Sequence, residues 1–267
     1  MTKQKTNDPV LLMCPPDFYE IRKPDEKVGA ANDFEVEGCK VYSASPKKFR
    51  KTAEKQWKNL RAIFNALGVR IIEMEPQKDH PDMVFTADPG FSIGNTPVSE
   101  VTILSRFTNT ERQKEVDHMA QTIGHLYPNR PLISAYYQTE GTGDNIYDPF
   151  RDVIWSGFCS LTRRSNAAAG RSDLRAHKVL SGITGAEVVS LHVERPYFHL
   201  DTSFAPLSKG HVLCAADGLQ PFAYERMLAR AFNPYGMNPK EYLIPVHGQD
   251  AARYACNVRC IGDTVIM

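Results

Sequence analysis

Five acidic residues and one histidine recur at nearly constant intervals along this chain. Asp82, Glu140 and His199 are separated by 140−82=58 and 199−140=59 positions. Asp88, Asp144 and Asp201 follow them at 144−88=56 and 201−144=57. A period this regular places each set in equivalent loops of successive structural units. Carboxylates gathered at one centre repel one another at neutral pH unless a cation joins them. A planar guanidinium suits that role, because carboxylates grip it with paired hydrogen bonds. A histidine among carboxylates holds its proton more firmly and is placed for general acid-base work. Arg106 and Arg164, at the ends of two hairpins, are placed to clamp the carboxylate of a small substrate.

The elements that carry these residues repeat too. Asp88-Pro-Gly-Phe-Ser-Ile leads through a Gly-Asn turn to Val101-Thr-Ile-Leu-Ser. Asp144-Asn-Ile-Tyr-Asp leads to Asp152-Val-Ile-Trp-Ser-Gly, and Asp201-Thr-Ser-Phe-Ala to His211-Val-Leu-Cys-Ala. A fourth copy runs from Asn257-Val-Arg-Cys-Ile to Thr264-Val-Ile-Met267. Each reads as a hairpin of two short apolar strands. Helical periodicity follows over Thr110 to Ile123, Arg171 to Ile183 and Pro221 to Phe232, and then a third apolar strand. Upstream, Pro46 to Leu67 reads as a longer helix, and Val69-Arg-Ile-Ile-Glu as the strand after it. One hairpin-helix-strand unit of about 56 residues cannot bury its own apolar face, so a radial array is expected. Counting back from Asp88 leaves room for a first unit near Asn32. Five units in a ring would make an α/β propeller. Its last unit stops at Met267, which predicts a single domain over residues 1–267 that is incomplete at its C-terminal end. The strand near Val10 to Cys14 is then expected to lack its neighbour.

Composition removes several function classes. The 267 residues carry 32 Lys+Arg against 31 Asp+Glu, a net charge of +1 that gives no footing for nucleic acid or an acidic membrane surface. Apolar residues make up 42% and no run approaches the roughly 20 needed for a membrane helix. The polar start, Met1 to Pro9, lacks the apolar centre of a signal peptide. The six cysteines (14, 39, 159, 214, 256 and 260) form no framework, which suggests a cytoplasmic location. Cys256 and Cys260 are spaced C-x3-C without a second pair, so no zinc site is expected. The absence of G-x-G-x-x-G and Walker sequences leaves no support for a nucleotide cofactor.

The segments Pro81-Asp-x-x-Phe-x-x-Asp88, Glu140-Gly-x-Gly-Asp144, Arg164-Ser-Asn166 and Phe198-His-Leu-Asp-Thr202 resemble the guanidino-group-modifying superfamily. That superfamily includes arginine deiminase, dimethylarginine dimethylaminohydrolase, arginine dihydrolase and the amidinotransferases. The resemblance runs from about Val10 to Met267 and implies a five-bladed α/β propeller, the pentein fold. It implies His199 as the general acid-base and Glu140 as the carboxylate that orients it. It implies Asp82 and Asp88 as the pair on the guanidinium nitrogens, with Asp201 as a further contact and Arg106 and Arg164 near the substrate's carboxylate. Thr86-Ala87 departs from members that place another acidic residue before Asp88, which leaves the substrate open between free and methylated arginine.

The chemistry implied is hydrolysis through an amidino-cysteine intermediate, with no cofactor or metal, a small guanidino substrate as partner and a homodimer as one assembly. The family's nucleophilic cysteine lies after the final strand, so it is expected beyond Met267, with Cys256 or Cys260 only as fallbacks. Three alternatives stand beside this reading: a non-catalytic guanidine-binding homologue, an amidinotransferase, and a ring-shaped interaction module. The last needs no carboxylate-histidine centre.

Overall fold

The computed structural model describes residues 9–21, 33–93, 100–159 and 171–267. The chain separates into two compact units, one of Met1–Lys23 and Phe34–Thr86, the other of Pro24–Asp33 and Ala87–Met267.

In the first unit, strand β1 (Val10–Met13) pairs in parallel with β2 (Arg70–Glu73) along its whole length. The crossover between them includes helices α1 (Asp33–Ala44) and α2 (Pro46–Ala66), the latter with Pro46 at its first turn. Two expectations change here. The strand near Val10 has a partner on one side, because a parallel crossover brings the strand after α2 back beside it. The place counted back for a first unit holds, from Asp33 onward, a helix. A 3₁₀ turn, Pro81–Val84, carries Asp82.

The second unit contains the repeat. Strands β3 (Gly90–Ile93) and β4 (Val101–Leu104) form an antiparallel pair, and β5 (Leu132–Ser134) returns in parallel onto β4 after helix α3 (Glu115–Leu126). The same order recurs with β6 (Asn145–Asp148), β7 (Val153–Phe158) and β8 (Glu187–His192), the last arriving after α5 (Leu174–Thr184). The short helix α4 (Gly141–Asp144) leads into that sheet. It recurs again with β9 (Phe204–Pro206), β10 (Val212–Cys214) and β11 (Leu243–Pro245), after α6 (Pro221–Phe232). A last antiparallel pair joins β12 (Arg259–Ile261) to β13 (Thr264–Ile266).

The middle strand of each triple is hydrogen-bonded on both sides and buried. Hence Val101-Thr-Ile-Leu, Val153-Ile-Trp-Ser-Gly and Val212-Leu-Cys read as continuous apolar runs rather than alternating ones. The helices bury one stripe each. In α6 it is Ala223, Met227, Ala231 and Phe232, and in α5 Ala176, His177, Leu180 and Thr184. One core lies among β7 to β10 and α6, around Trp155, Phe204 and Phe232, and another among β3, β4 and α5.

Two helix starts differ from the periodicity. Asp173 accepts the backbone N–H of Arg175 and caps α5, so the helix begins at Leu174 rather than Arg171. Thr110–Lys114 is a 3₁₀ turn before α3, and Arg112 within it is buried. Both departures serve the site described next.

Candidate active site

The site lies in the second unit, where the loops entering three sheets bring Asp88, Glu140, Asp144 and His199 together. His199 is 3% exposed and Glu140 and Asp144 are 0% exposed. The imidazole Nδ1 lies 3.2 Å from Asp144 Oδ1, and Nε2 lies 3.5 Å from Glu140 Oε2 and 4.0 Å from Asp88 Oδ2. Asp144 is the nearest of the three, and its charge and its hydrogen bond both favour the protonated ring. Asp144 Oδ1 also accepts the Leu200 N–H at 3.3 Å, and Thr202 Oγ1 donates to the His199 carbonyl at 2.6 Å. These bonds fix the 3₁₀ turn that presents the ring.

The two glycines of Glu140-Gly-x-Gly-Asp144 are required by this geometry. Gly141 has φ +50°, and a Cβ there would stand 2.3 Å from the Ala87 carbonyl oxygen. A Cβ at Gly143 would stand 3.0 Å from Asp88 Oδ1 and 3.2 Å from His199 Cγ. Only hydrogen at both positions lets the helix turn close enough for Asp144 and Glu140 to flank one imidazole.

The carboxylates have internal cationic partners. Arg112 donates Nη1 to Asp88 Oδ2 at 2.8 Å and grips Glu115 with Nε at 3.0 Å and Nη2 at 2.8 Å. Its guanidinium stacks 4.5 Å from the Phe107 ring centroid. Arg171 Nη1 lies 3.4 Å from Glu140 Oε2, and its guanidinium lies 5.3 Å from the centroid of Phe198. The Thr108 N–H donates to Glu140 Oε1 at 2.9 Å. Asp201 Oδ1 is shielded from solvent and has no hydrogen-bond partner.

Burial alone would lower the His199 pKa, but the charges of Asp144, Asp88 and Glu140 outweigh it and hold the value at about 9. Burial raises that of Asp201 to about 8, against the pull of His199. Asp88 is held below the usual carboxylate range. Burial opposes this, and His199 and Arg112 overcome it. Burial lowers His177, whose ring contacts Ser190 Oγ at 2.8 Å and the Gly157 carbonyl at 3.1 Å.

These directions fix how stability varies with pH. From pH 6.5 to about 9 the folded chain keeps the His199 proton that the unfolded chain has released, and up to about 8 it keeps the Asp201 proton as well. The folded state binds more protons, so stability falls as pH rises, by at most about 1.4 kcal/mol per pH unit for each proton. Below pH 6.5 His177 acts in the opposite sense, because only the unfolded chain takes up its proton readily. Asp201 opposes His177 over that range, because the folded chain alone keeps the Asp201 proton, so the expected result is a melting temperature that falls from pH 6.5 toward pH 9. His199→Asn is expected to flatten that fall, and a fall unchanged in the variant would remove His199 as its source.

The candidates read from the sequence divide as follows. His199, Glu140 and Asp88 meet, and Asp201 feels the charges of His199, Asp88 and Asp144. Arg106 exchanges backbone hydrogen bonds with Thr139, while its exposed guanidinium donates to the Tyr136 carbonyl at 2.6 Å. Asp82 belongs to the first unit, where its charge adds to the burial that pushes Tyr19 up to about 12. Arg164 lies outside the described residues. Arg112, Glu115, Arg171 and Ser172 escape sequence reading. Thr-Glu-Arg-Gln-Lys-Glu reads as a solvated charged helix face, and only the buried i,i+3 pair of Arg112 and Glu115 shows otherwise. Asp144 carries a signal in its spacing but reads equally well as a turn cap. Among the described residues no three His, Cys, Asp or Glu side chains are grouped to hold a metal ion.

The family model described as eukaryotic N,N dimethylarginine dimethylhydrolase matches residues 26–265. The chain belongs to that family. This family member is 29% identical over 265 residues to the bifunctional arginine dihydrolase/ornithine cyclodeaminase ArgZ of Synechocystis, covering 96% of the chain and 32% of that protein. It is 29% identical over 178 residues to the N(G),N(G)-dimethylarginine dimethylaminohydrolase of Mycobacterium tuberculosis, covering 66% of the chain and 53% of that protein. It thus spans about a third of the one relative and about half of the other. The N-terminal domain of ArgZ, solved covalently bound to a reaction intermediate, superposes with a TM-score of 0.79 at 27% identity, over 97% of this chain and 82% of that one. The dimethylarginine dimethylhydrolase-family chain therefore shares the mixed α/β fold of that domain.

Proposed function

We propose that this chain hydrolyses the guanidino group of arginine or a close derivative through a covalent amidino-cysteine intermediate. The observation that carries the reading is an imidazole with carboxylates at both ring nitrogens, beside Asp201 Oδ1 without a partner. Such a centre is short of one planar cation. Asp88 and Asp201 take the guanidinium nitrogens, and Arg106 and Arg164 take the substrate's carboxylate. A thiolate sulfur attacks the guanidinium carbon, the C–N bond breaks, and the imidazolium of His199 gives its proton to the departing amine. Neutral His199 then removes a proton from water, which cleaves the amidino-thioether and restores the thiolate. The names of the relatives and the covalent intermediate held by ArgZ support this reading. We read the three repeated sheets, with the β1–β2 and β12–β13 pairs, as blades of a five-bladed α/β propeller.

A thiolate is the remaining requirement, and Cys256 and Cys260 supply it poorly. Burial pushes the Cys256 thiol up to about 12 and raises Cys260 as well. The test is a single-turnover incubation of the protein expressed to its natural stop codon, with arginine and with dimethylarginine, quenched in acid and mapped by peptide mass spectrometry. Release of ammonia or dimethylamine and an amidino adduct on a cysteine other than these two are expected. No release from either compound sinks the reading, and an adduct on Cys256 or Cys260 reverses the burial argument.

A further inference from the structure

The two consecutive residues Arg171 and Ser172 touch both carboxylates that flank His199, from opposite sides of its ring. Ser172 is 1% exposed. Its hydroxyl donates to Asp144 Oδ2 at 2.5 Å and accepts the Glu140 N–H at 3.1 Å. Arg171 places Nη1 3.4 Å from Glu140 Oε2, and its carbonyl accepts from Thr108 Oγ1 at 2.9 Å. Thr108 in turn holds Glu140 Oε1 through its N–H. The dipeptide is itself anchored, since the Cys159 N–H donates to the Ser172 carbonyl and the Asp173 N–H to the Gln138 carbonyl. It sits in the turn before α5, the place where the cap at Asp173 shortens the helix.

We propose that Arg171 and Ser172 are positioning residues that set the orientation and proton occupancy of His199 by holding Asp144 against Nδ1 and Glu140 against Nε2. The assignment rests on the proposed role of His199, but the contacts do not. Each residue acts on a different carboxylate, so their removal has opposite consequences. Without the Ser172 hydroxyl, Asp144 loses the donor that pins Oδ2 and leaves Oδ1 facing the ring, and the imidazolium loses its nearest anion. Without the Arg171 charge, Glu140 is left, among the described residues, with His199 as its remaining cation, and the imidazolium is held more firmly. The other charges facing the ring are Asp88, with its partner Arg112, and Asp201; Arg171 also helps hold Asp88 ionised, so its removal acts on His199 through both carboxylates, while Ser172→Ala removes no charge.

The test is the titration midpoint of His199, followed by imidazole ¹⁵N shifts in the full chain and assigned by the resonance missing from His199→Asn. Ser172→Ala is expected to lower the midpoint, and Arg171→Gln to raise it, each by about one pH unit or more. Ser172→Thr, which keeps the hydroxyl, is expected to restore the parent value. With turnover as a second readout, Ser172→Ala is expected to lower kcat about tenfold or more with KM unchanged. Midpoints that both fall, or that both stay, overturn the proposal, since general loosening of the loop would move both toward an ordinary histidine. A raised KM with kcat intact also overturns it, placing the dipeptide on the substrate. If the parent chain turns over no guanidino compound while the midpoints move apart, the proposed function fails and the positioning role stands.

Discussion

His199→Asn is expected to lower kcat/KM for a guanidino substrate by about 10²- to 10⁴-fold, the range contributed by a positioned acid-base group. The guanidinium carbon is resonance-stabilised and its amine is a poor leaving group, so proton delivery to nitrogen must accompany C–N cleavage. His199 suits that step because Asp144, Asp88 and Glu140 keep it protonated past neutral pH. Asn has a similar shape at the branch but carries no transferable proton, and it fits a pocket already lined by polar atoms. The variant is therefore expected to fold but to melt below the parent at pH 6.5, where protonated His199 stabilises the parent most, and to approach it toward pH 9. Steady-state release of ammonia or dimethylamine measures the first effect and circular dichroism the second. Near-normal turnover in a folded variant would remove His199 from the mechanism.

The second large effect concerns recognition. Asp88→Asn is expected to weaken arginine binding by about 2–4 kcal/mol, roughly 30- to 1000-fold in Kd, the cost of a buried charge left without its partner. Arg112 occupies Asp88 Oδ2 at 2.8 Å, which orients the carboxylate and leaves Oδ1 for a ligand. An amide in its place can still accept from Arg112 through its oxygen. Arg112 keeps its two bonds to Glu115 as well, so the internal network survives. Isothermal calorimetry with arginine, beside a melting curve, separates lost affinity from lost structure. Equal affinity in the variant would place the guanidinium elsewhere.

The repeat was legible because each unit's middle strand is buried on both faces and must be written as an unbroken apolar run. The turns between strands are equally explicit. The common spacing of 56 and 57 residues then placed Asp88, Asp144 and Asp201 in matching loops, and 58 and 59 placed Glu140 with His199. Spacing identifies the loop a side chain occupies, not the direction it faces. The sequence could not show that Asp144 meets Nδ1 while Glu140 meets Nε2, because that depends on the left-handed Gly141 and the 3₁₀ turn after His199.

The cationic partners were hidden for a different reason. A charged residue is exposed by default, and burying one is favourable only when partners far apart in the chain converge on it. Arg112 meets Asp88 across 24 positions and Arg171 meets Glu140 across 31, contacts that no local pattern encodes. The order of strands, the apolar stripes and the set of carboxylates that gather are thus determined residue by residue along the chain. Which carboxylate keeps its charge, which holds a proton and which nitrogen each one faces were decided by the tertiary structure. Those properties depend on the distances between groups and on exclusion of water, and both arise only when the loops close on one another.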